Sequence, residues 1–373
     1  MTKTRQKLSC LQILRGLAAV WVVVYHLEFL AAQYYHVSLG ISLVHAGQLG
    51  VHLFFVLSGF IIFWIHDRDA GNASDIRSYY LKRITRIYPL LIVLNVVKLA
   101  YMSISGYGVR QDKFDLSSIL GSFLLLPTTP NFLIDVTWSL TYEMWFYLGF
   151  GLLLLLGRGA LYRLGIGYGL LIMALNLPGV PELKSMAHFI FDPRILEFIL
   201  GCVIAFSLRR QTRAGKNIGF SCLGLGLAGI AIGLFKGLDE MLSPLCSCLY
   251  WAIAFGGLLF GCLLLERTLD FSKLRLGILL GDASYSIYLA HSLTLNALAV
   301  LFQKLLPSAS GTALLLILAA CGVAGLVSGV ACYFWIERPV HHFFRDRIEK
   351  NCRVVPTAGL AMENLISPIS PRP

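Results

Sequence analysis

Two ionisable residues, Arg15 and His26, lie in one long apolar segment near the N-terminus. They are eleven positions apart, which at about 100° per residue ends about 20° beyond three full helical turns. A helix would therefore carry both side chains on one face, separated by a rise of ~16 Å. Arginine binds anionic groups, and neutral histidine accepts protons near pH 7. A ligand as long as the pantetheine arm of coenzyme A would reach from an anionic contact at Arg15 to a reactive end at His26.

Each of these residues also has a structural interpretation. Arg15 can anchor the helix by extending its charge to the membrane surface, and His26 can be a buried histidine that a neighbouring helix satisfies. The occurrence of both on one face favours the functional interpretation. Glu28 lies about 200° around the helix from His26, so we expect it to be an interfacial carboxylate near the outer end.

The composition indicates the environment in which such a helix lies. Of 373 residues, 57% are hydrophobic and 14% are charged, whereas soluble domains are about 25% charged. This excludes an ordinary soluble protein and predicts an all-α polytopic membrane protein, because a spanning helix needs ~20 mostly apolar residues. The predicted spans are 11–32, 47–66, 87–105, 137–157, 161–177, 193–208, 217–236, 243–265, 281–305 and 312–335. A further apolar stretch, 117–126, is too short to cross the membrane.

Loop charges test this arrangement, since cytoplasmic loops collect Lys and Arg. With the N-terminus inside, most of the 31 Lys and Arg residues fall on the inner side, which predicts ten spans with both termini cytoplasmic. The same bias explains the net charge of +11 without a nucleic-acid partner. Residues 1–347 are predicted to form one transmembrane domain, and 348–373 a disordered cytoplasmic tail. Nine scattered cysteines predict neither a disulfide framework nor a metal site.

We consider four more ionisable residues within the predicted spans. A charged side chain there costs ~2.5–3.5 kcal/mol even on a lenient insertion scale, so each is a functional candidate. These residues are Lys98, Glu143, Glu197 and His291. We expect Glu197 to pair with Arg194, which precedes it by one helical turn. His291 is either an acceptor-side residue that lines the substrate site or a satisfied core histidine.

Ser58 and Gly59 add a small hydroxyl and a possible close backbone approach inside the second span. A substrate-lining role for Ser58 and ordinary packing of small residues between helices are both consistent with this pair.

Several sequence blocks, taken in order, resemble the acyltransferase 3 family of integral membrane proteins. Each block alone is weakly specific, but their succession covers the chain from about Leu11 to Arg345. The blocks are Arg15 with His26 (Arg-x10-His), Gly50–Phe60, Tyr80–Pro89, Trp138–Glu143, Arg194–Phe198, Ser284–His291 and Glu337–Pro339. One departure is His52, where many members carry Asp, which argues against an essential carboxylate at that position.

The resemblance implies an enzyme that transfers an acyl group, usually acetyl, from coenzyme A to extracytoplasmic glycans or lipids. The expected reaction is O-acetylation, with exopolysaccharide as the favoured acceptor. It implies acyl-CoA as co-substrate, no metal or other bound cofactor, and a glycan or lipid-linked saccharide as acceptor. A stand-alone enzyme in the bilayer of a bacterial inner membrane is expected.

The implied chemistry assigns roles to particular residues. Transfer to a hydroxyl needs a base, and His26 is the candidate; it can instead accept the acyl group itself. Glu143 lies at a depth similar to that of His26, so it is expected to orient or stabilise the ring as the carboxylate does in hydrolase triads. The alternative for Glu143 is a structural pair with Arg194 or Lys98.

Three basic residues before the third span are the expected phosphate contacts, together with Arg15. Guanidinium groups bind phosphate well, and positions i, i+1 and i+4 on a helix would place the first and last together with the middle one adjacent. These residues are Lys82, Arg83 and Arg86. Charge sorting alone would also explain them. The rival hypothesis for the whole protein is a transporter or flippase for a lipid-linked saccharide, which would equally need charges inside the membrane.

Overall fold

The computed structural model describes residues 8–38, 49–71, 73–105, 115–211 and 215–351. This part of the chain consists of helices and connecting loops, without a β-strand. The helices are α1 (Ser9–Tyr35), α2 (Leu49–His66), α3 (Ala73–Ser105), α4 (Leu116–Leu124), α5 (Trp138–Leu155), α6 (Arg158–Leu175), α7 (Ser185–Ile190), α8 (Ile195–Arg210), α9 (Lys216–Lys236), α10 (Leu238–Met241), α11 (Pro244–Leu265), α12 (Arg275–Asp282), α13 (Ser284–Leu305), α14 (Gly311–Cys332) and α15 (Arg338–Asn351). A π-helical turn, Tyr333–Glu337, joins α14 to α15.

Helices occupy all ten segments predicted to span the membrane. Seven described helical stretches are long and apolar enough to cross a bilayer, while α5, α6 and α8 have 18, 18 and 16 residues. The prediction of an all-α polytopic membrane protein is confirmed. Ten spans and two cytoplasmic termini stay predictions. The predicted disordered tail, 348–373, begins within the last turn of α15, and beyond Asn351 it lies outside the described residues.

Large apolar side chains cover the outside of the bundle. Leu225 and Phe235 on α9 are 74% and 85% exposed, and Trp335 in the π-helical turn is 81% exposed. Because a helix has no backbone groups left to hydrate, such a surface suits contact with lipid chains. The outer helices are therefore stabilised by the bilayer on one side and by the bundle on the other.

Helix α2 lies at the centre of the bundle and packs closely against α8. A Cβ atom added to Gly59 would lie 1.9 Å from the carbonyl oxygen of Phe198, and one added to Gly201 would lie 2.1 Å from the carbonyl oxygen of Val56. The two backbones therefore meet through glycines, as small-residue interfaces between membrane helices do. This contact fixes α2, and with it Ser58.

Helix α1 is held in the same way at its N-terminal end. A Cβ atom on Gly281 of α12 would lie 1.9 Å from the carbonyl oxygen of Gln12. The backbone N–H of Cys10, in the first turn of α1, donates to Glu266 Oε1 at 3.0 Å, which satisfies one of the free amides that begin a helix. These contacts fix the depth and rotation of α1, and hence the direction of Arg15.

Helix α3 begins fourteen residues before the apolar segment that predicted it, so the basic residues Lys82, Arg83 and Arg86 belong to the same continuous helix. Two tyrosines join this part of α3 to α5. The hydroxyl of Tyr79 donates to the carbonyl of Tyr147 at 3.0 Å, and that of Tyr80 donates to the carbonyl of Leu148 at 2.9 Å. The basic turn of α3 is thereby placed beside α5.

Candidate functional site

A cavity of about 130 Å³ lies among α1, α2, α3, α5 and α13. We call the end of the cavity that carries its arginines the Arg15 end, and the opposite direction along α1 the His26 end. The residues that line the cavity include Arg15, Ser58, Arg83, Arg86, Glu143 and Tyr288. Five of these six were candidates from the sequence, and they come together from four different helices.

Three arginines share the Arg15 end of the cavity. Arg15 Nη1 donates to Gln12 Oε1 at 3.3 Å, and Arg86 Nη1 forms an ion pair of 2.9 Å with buried Glu337. The hydroxyl of Ser286 also donates to the Glu337 carboxylate. Each guanidinium is thus oriented by a neighbour before any ligand arrives, and a ligand's anionic group would meet several donors at once.

Arg83 is 8% exposed and is packed between two aromatic rings. Its guanidinium carbon lies 5.9 Å from the ring centre of Tyr79 and 5.7 Å from that of Tyr147, within the range of cation–π attraction. Lys82 and Arg86 lie one turn apart on the continuous helix α3, as their spacing predicts. Arg83 and Arg86, three residues apart on α3, line the cavity, and Lys82 is not part of the described lining.

Glu143 has partners other than those expected from the sequence. Its Oε1 accepts hydrogen bonds from Ser58, at 2.9 Å, and from the hydroxyl of Tyr147. The expected pairing with His26 was therefore wrong in its geometry, because the described contacts of His26 run to other residues. Nor is Glu143 in a described ion pair with Arg194 or Lys98, the structural alternative.

Of the two interpretations of the neighbours Ser58 and Gly59, each applies to one residue. Ser58 lines the cavity and donates to Glu143, whereas Gly59 faces the backbone of α8. The small-residue packing suggested by the pair thus belongs to Gly59, and the polar position belongs to Ser58.

The side chain of Tyr288 connects the cavity to the His26 end. Ser139 and Tyr288 both line the cavity, and their hydroxyls are 2.7 Å apart. Both hydroxyls also face the carbonyl oxygen of Val136, at 2.9 Å from Tyr288 and 3.3 Å from Ser139. The Tyr288 ring lies 6.1 Å, centre to centre, from that of His291.

His26 and His291 contact each other beyond this point. His291 Nε2 lies 3.3 Å from His26 Nδ1, and the ring centres are 4.8 Å apart with an edge-to-face orientation. Neither histidine is part of the described cavity lining. Helix α13 nevertheless links the two parts, since its Tyr285 lines the cavity together with Arg15 and its His291 contacts His26.

A second polar cluster lies apart from the cavity. His52 Nδ1 bonds with Oε1 of the fully buried Glu197, and the ring of Trp251 stacks on His52. The expected pair of Glu197 with Arg194 was wrong, because Arg194 instead lies 3.6 Å from Asp192. The charge pair that joins α2 to α8 is therefore His52–Glu197.

We expect His52→Asp to destabilise the protein by about 3–5 kcal/mol, because Glu197 would lose its partner and face a second buried carboxylate. The measurement is thermal unfolding in detergent. The double variant His52→Asp with Glu197→Gln should recover most of the loss, since one carboxylate then faces an amide. Equal stability of wild type and His52→Asp would show that the pair contributes nothing.

The sequence did not single out several residues of the site. Tyr147 follows Glu143 by one helical turn, and Tyr288 precedes His291 by three positions, so helical periodicity could have found both. Glu337 was noted only as part of its sequence block, because the predicted span ended at residue 335, while the helical chain continues through the π-helical turn. Ser139 carried no signal beyond its sequence block.

Comparison with known proteins agrees with this picture. A family model described as an acyltransferase domain matches residues 8–334. The chain is similar to the exopolysaccharide production protein ExoZ of Rhizobium meliloti, with 29% identity over 84% of this chain and 94% of that protein. It is 27% identical to acyltransferase MdmB of Streptomyces mycarofaciens, over 78% of this chain and 79% of MdmB.

A third relative is the peptidoglycan O-acetyltransferase OatA of Listeria monocytogenes, 26% identical over 77% of this chain and 49% of OatA. No solved structure matches the chain. Since the family model spans most of the sequence, the resemblance drawn from the motifs is confirmed, and the chain belongs to the acyltransferase 3 family of membrane acyltransferases.

Proposed function

We propose that the protein transfers an acetyl group from cytoplasmic acetyl-CoA to a hydroxyl of an extracytoplasmic or lipid-linked glycan such as exopolysaccharide, in a bacterial inner membrane. The observation that carries the proposal is the convergence of Arg15, Arg83 and Arg86 on one cavity. The side chain of Tyr288 connects that cavity to His26 and His291. Two relatives named for exopolysaccharide production and for O-acetylation support the choice of acceptor and reaction.

The Arg15 end suits the phosphates of coenzyme A. Guanidinium groups bind phosphate through paired N–H donors, and three of them line this end. Arg86 is shared with Glu337, so a phosphate at Arg86 competes with a carboxylate already in place. Lys82, one residue before Arg83, remains a proposed contact for the more exposed part of the donor.

In the proposed reaction, His26 takes the proton of the acceptor hydroxyl as the hydroxyl oxygen attacks the thioester carbonyl. The carbon–sulfur bond then breaks, and the proton passes to the departing thiolate of coenzyme A. A route in which His26 first carries the acyl group is equally compatible with its position. Glu143 belongs to the cavity part of the site, where it holds the hydroxyls of Ser58 and Tyr147.

The test is transfer of labelled acetyl from acetyl-CoA into the glycan and lipid fractions of native membranes that contain the protein. Label in the glycan fraction, absent from membranes without the protein, supports the proposal. Failure to transfer acetyl, together with movement of a lipid-linked saccharide across the bilayer, would instead establish the rival transport function.

We expect Arg83→Gln to raise the KM for acetyl-CoA by about 10-fold to 100-fold, since a hydrogen bond to a charged group contributes about 1.5–3 kcal/mol. The substitution should affect mainly KM, because Arg83 lies at the Arg15 end of the cavity and not beside the histidines. Arg163→Gln is the matched control, as Arg163 is exposed on α6 away from the cavity. Equal KM values for acetyl-CoA in the two variants would show that Arg83 does not bind the donor.

A further inference from the structure

The two histidines at the His26 end are held by their own helices in the same way. His26 Nδ1 lies 2.8 Å from the carbonyl oxygen of Val22, and His291 Nδ1 lies 2.8 Å from that of Ile287. A carbonyl oxygen only accepts hydrogen bonds, so each Nδ1 must carry a hydrogen. In the neutral rings, both Nε2 atoms are therefore unprotonated.

The hydrogen bond between the two rings then has a defined donor and acceptor. His291 Nε2 lies 3.3 Å from His26 Nδ1, and of the two atoms only His26 Nδ1 carries a hydrogen. His26 thus shares its N–H between the Val22 carbonyl and His291 Nε2, as a three-centre hydrogen bond. With Nδ1 committed, the nitrogen of His26 that remains to take a proton is Nε2.

His291 is itself fixed and shielded from water. It is fully buried on α13, and its Cβ lies 3.5 Å from the position that a Cβ on Gly325 of α14 would occupy. A methyl group at position 325 would make van der Waals contact with the histidine. Because His291 is fully buried whereas His26 is partly exposed, its place suits an action through His26 better than contact with a substrate.

We infer that His291 is a positioning residue for His26, an inference that rests on the proposed function in taking His26 as the group that accepts the proton. His291 Nε2 holds the His26 ring with its Nδ1–H turned inward and its Nε2 available. When Nε2 takes the acceptor's proton, His26 becomes an imidazolium ion and its Nδ1–H bond to His291 becomes charge-assisted and stronger. No proton moves to His291, whose own Nδ1–H remains hydrogen-bonded to the carbonyl oxygen of Ile287.

This arrangement gives a neutral ring the task that a carboxylate has in hydrolase triads. A buried carboxylate carries a large desolvation cost unless it is paired, whereas a neutral imidazole costs much less to bury. The bond to His291 still strengthens when charge appears on His26, which is the step at which stabilisation matters.

The first test reads the tautomer directly and needs no activity. Protein labelled with 15N-histidine in lipid bilayers is examined by solid-state NMR, and the His26 signals are assigned by their loss in His26→Gln. We expect the signals of a ring protonated at Nδ1 and unprotonated at Nε2. A His26 ring protonated at Nε2 instead would overturn the inference, whether or not the protein transfers acetyl.

The second test separates positioning from packing. His291→Leu fills the space without an acceptor, and we expect kcat to fall at least 10-fold with little change in the KM for acetyl-CoA. His291→Gln restores an acceptor oxygen, so it should recover a large part of kcat at equal abundance. Equal kcat in the two variants, or wild-type kcat in His291→Leu, would contradict a role through His26; absence of transfer by the wild type would refute the proposed function and leave the tautomer result standing.

Discussion

Replacing His26 by alanine should reduce acetyl transfer by about 10²-fold to 10⁴-fold, the usual contribution of a general base, while the protein still inserts and folds. The loss follows because His26 is the described group that combines a free imidazole nitrogen with a fixed ring, held through Val22 and His291. The measurement is transfer of labelled acetyl from acetyl-CoA by membranes that contain equal amounts of each protein.

His36→Asn is the matched control for this experiment. His36 is an exposed histidine that ends the same helix in the left-handed conformation, with φ of 54°, which asparagine tolerates. The control should transfer acetyl like the wild type. If His26→Ala also did so, His26 would be a structural residue and the proposed mechanism would be wrong.

A comparison of the wild type with His26→Ala also tests whether His26 carries the acyl group. An acyl carrier would take label from acetyl-CoA before any acceptor is supplied, whereas a base would not. Rapid denaturation after mixing, followed by peptide mass analysis around residue 26, distinguishes these routes.

Gly59→Ala should strongly destabilise the fold. The new Cβ would lie 1.9 Å from the carbonyl oxygen of Phe198, so α2 and α8 would have to separate. The stacked rings of Phe55 and Phe198, 4.5 Å apart between centres, lie in the same interface. Overpacking costs about 1–3 kcal/mol and occasionally more, and a backbone contact leaves no side chain to rotate away, so we expect the upper end of this range.

Thermal unfolding and size-exclusion elution in detergent measure this effect. Gly201→Ala, the reciprocal change on α8, should destabilise the protein similarly, since its Cβ would meet the Val56 carbonyl oxygen at 2.1 Å. Gly165→Ala and Gly167→Ala on α6 are the controls, because a Cβ at either position meets nothing within 4 Å. Equal stability of Gly59→Ala and the controls would show that the interface adjusts at little cost.

The helices were predictable because each depends on a local property. A run of apolar residues long enough for the bilayer must satisfy its own backbone hydrogen bonds, and a helix does so within the segment. The boundary of α3 was the exception. Its first turns, from Ala73, are polar, so hydrophobicity alone could not show that Arg83 continues the helix that carries the third span.

The partners of the buried charges were not predictable in the same way. Glu143 bonds with Ser58, 85 positions away, and His52 bonds with Glu197, 145 positions away. The depth of a residue in the membrane, which the sequence does give, restricts its partners to one layer of the bundle. Which residue of that layer it meets depends on helix rotation, which is set by contacts such as those of Gly59 and Gly281.

The π-helical turn Tyr333–Glu337 gives the helical chain one residue more than an α-helix would accommodate, which changes the phase of everything that follows. Glu337, at the end of that turn, meets Arg86, and His341, one turn later, reaches the cavity. Loss of a single residue from the turn would rotate both by about 100°. The length of this helical stretch is therefore constrained in addition to the side chain of Glu337.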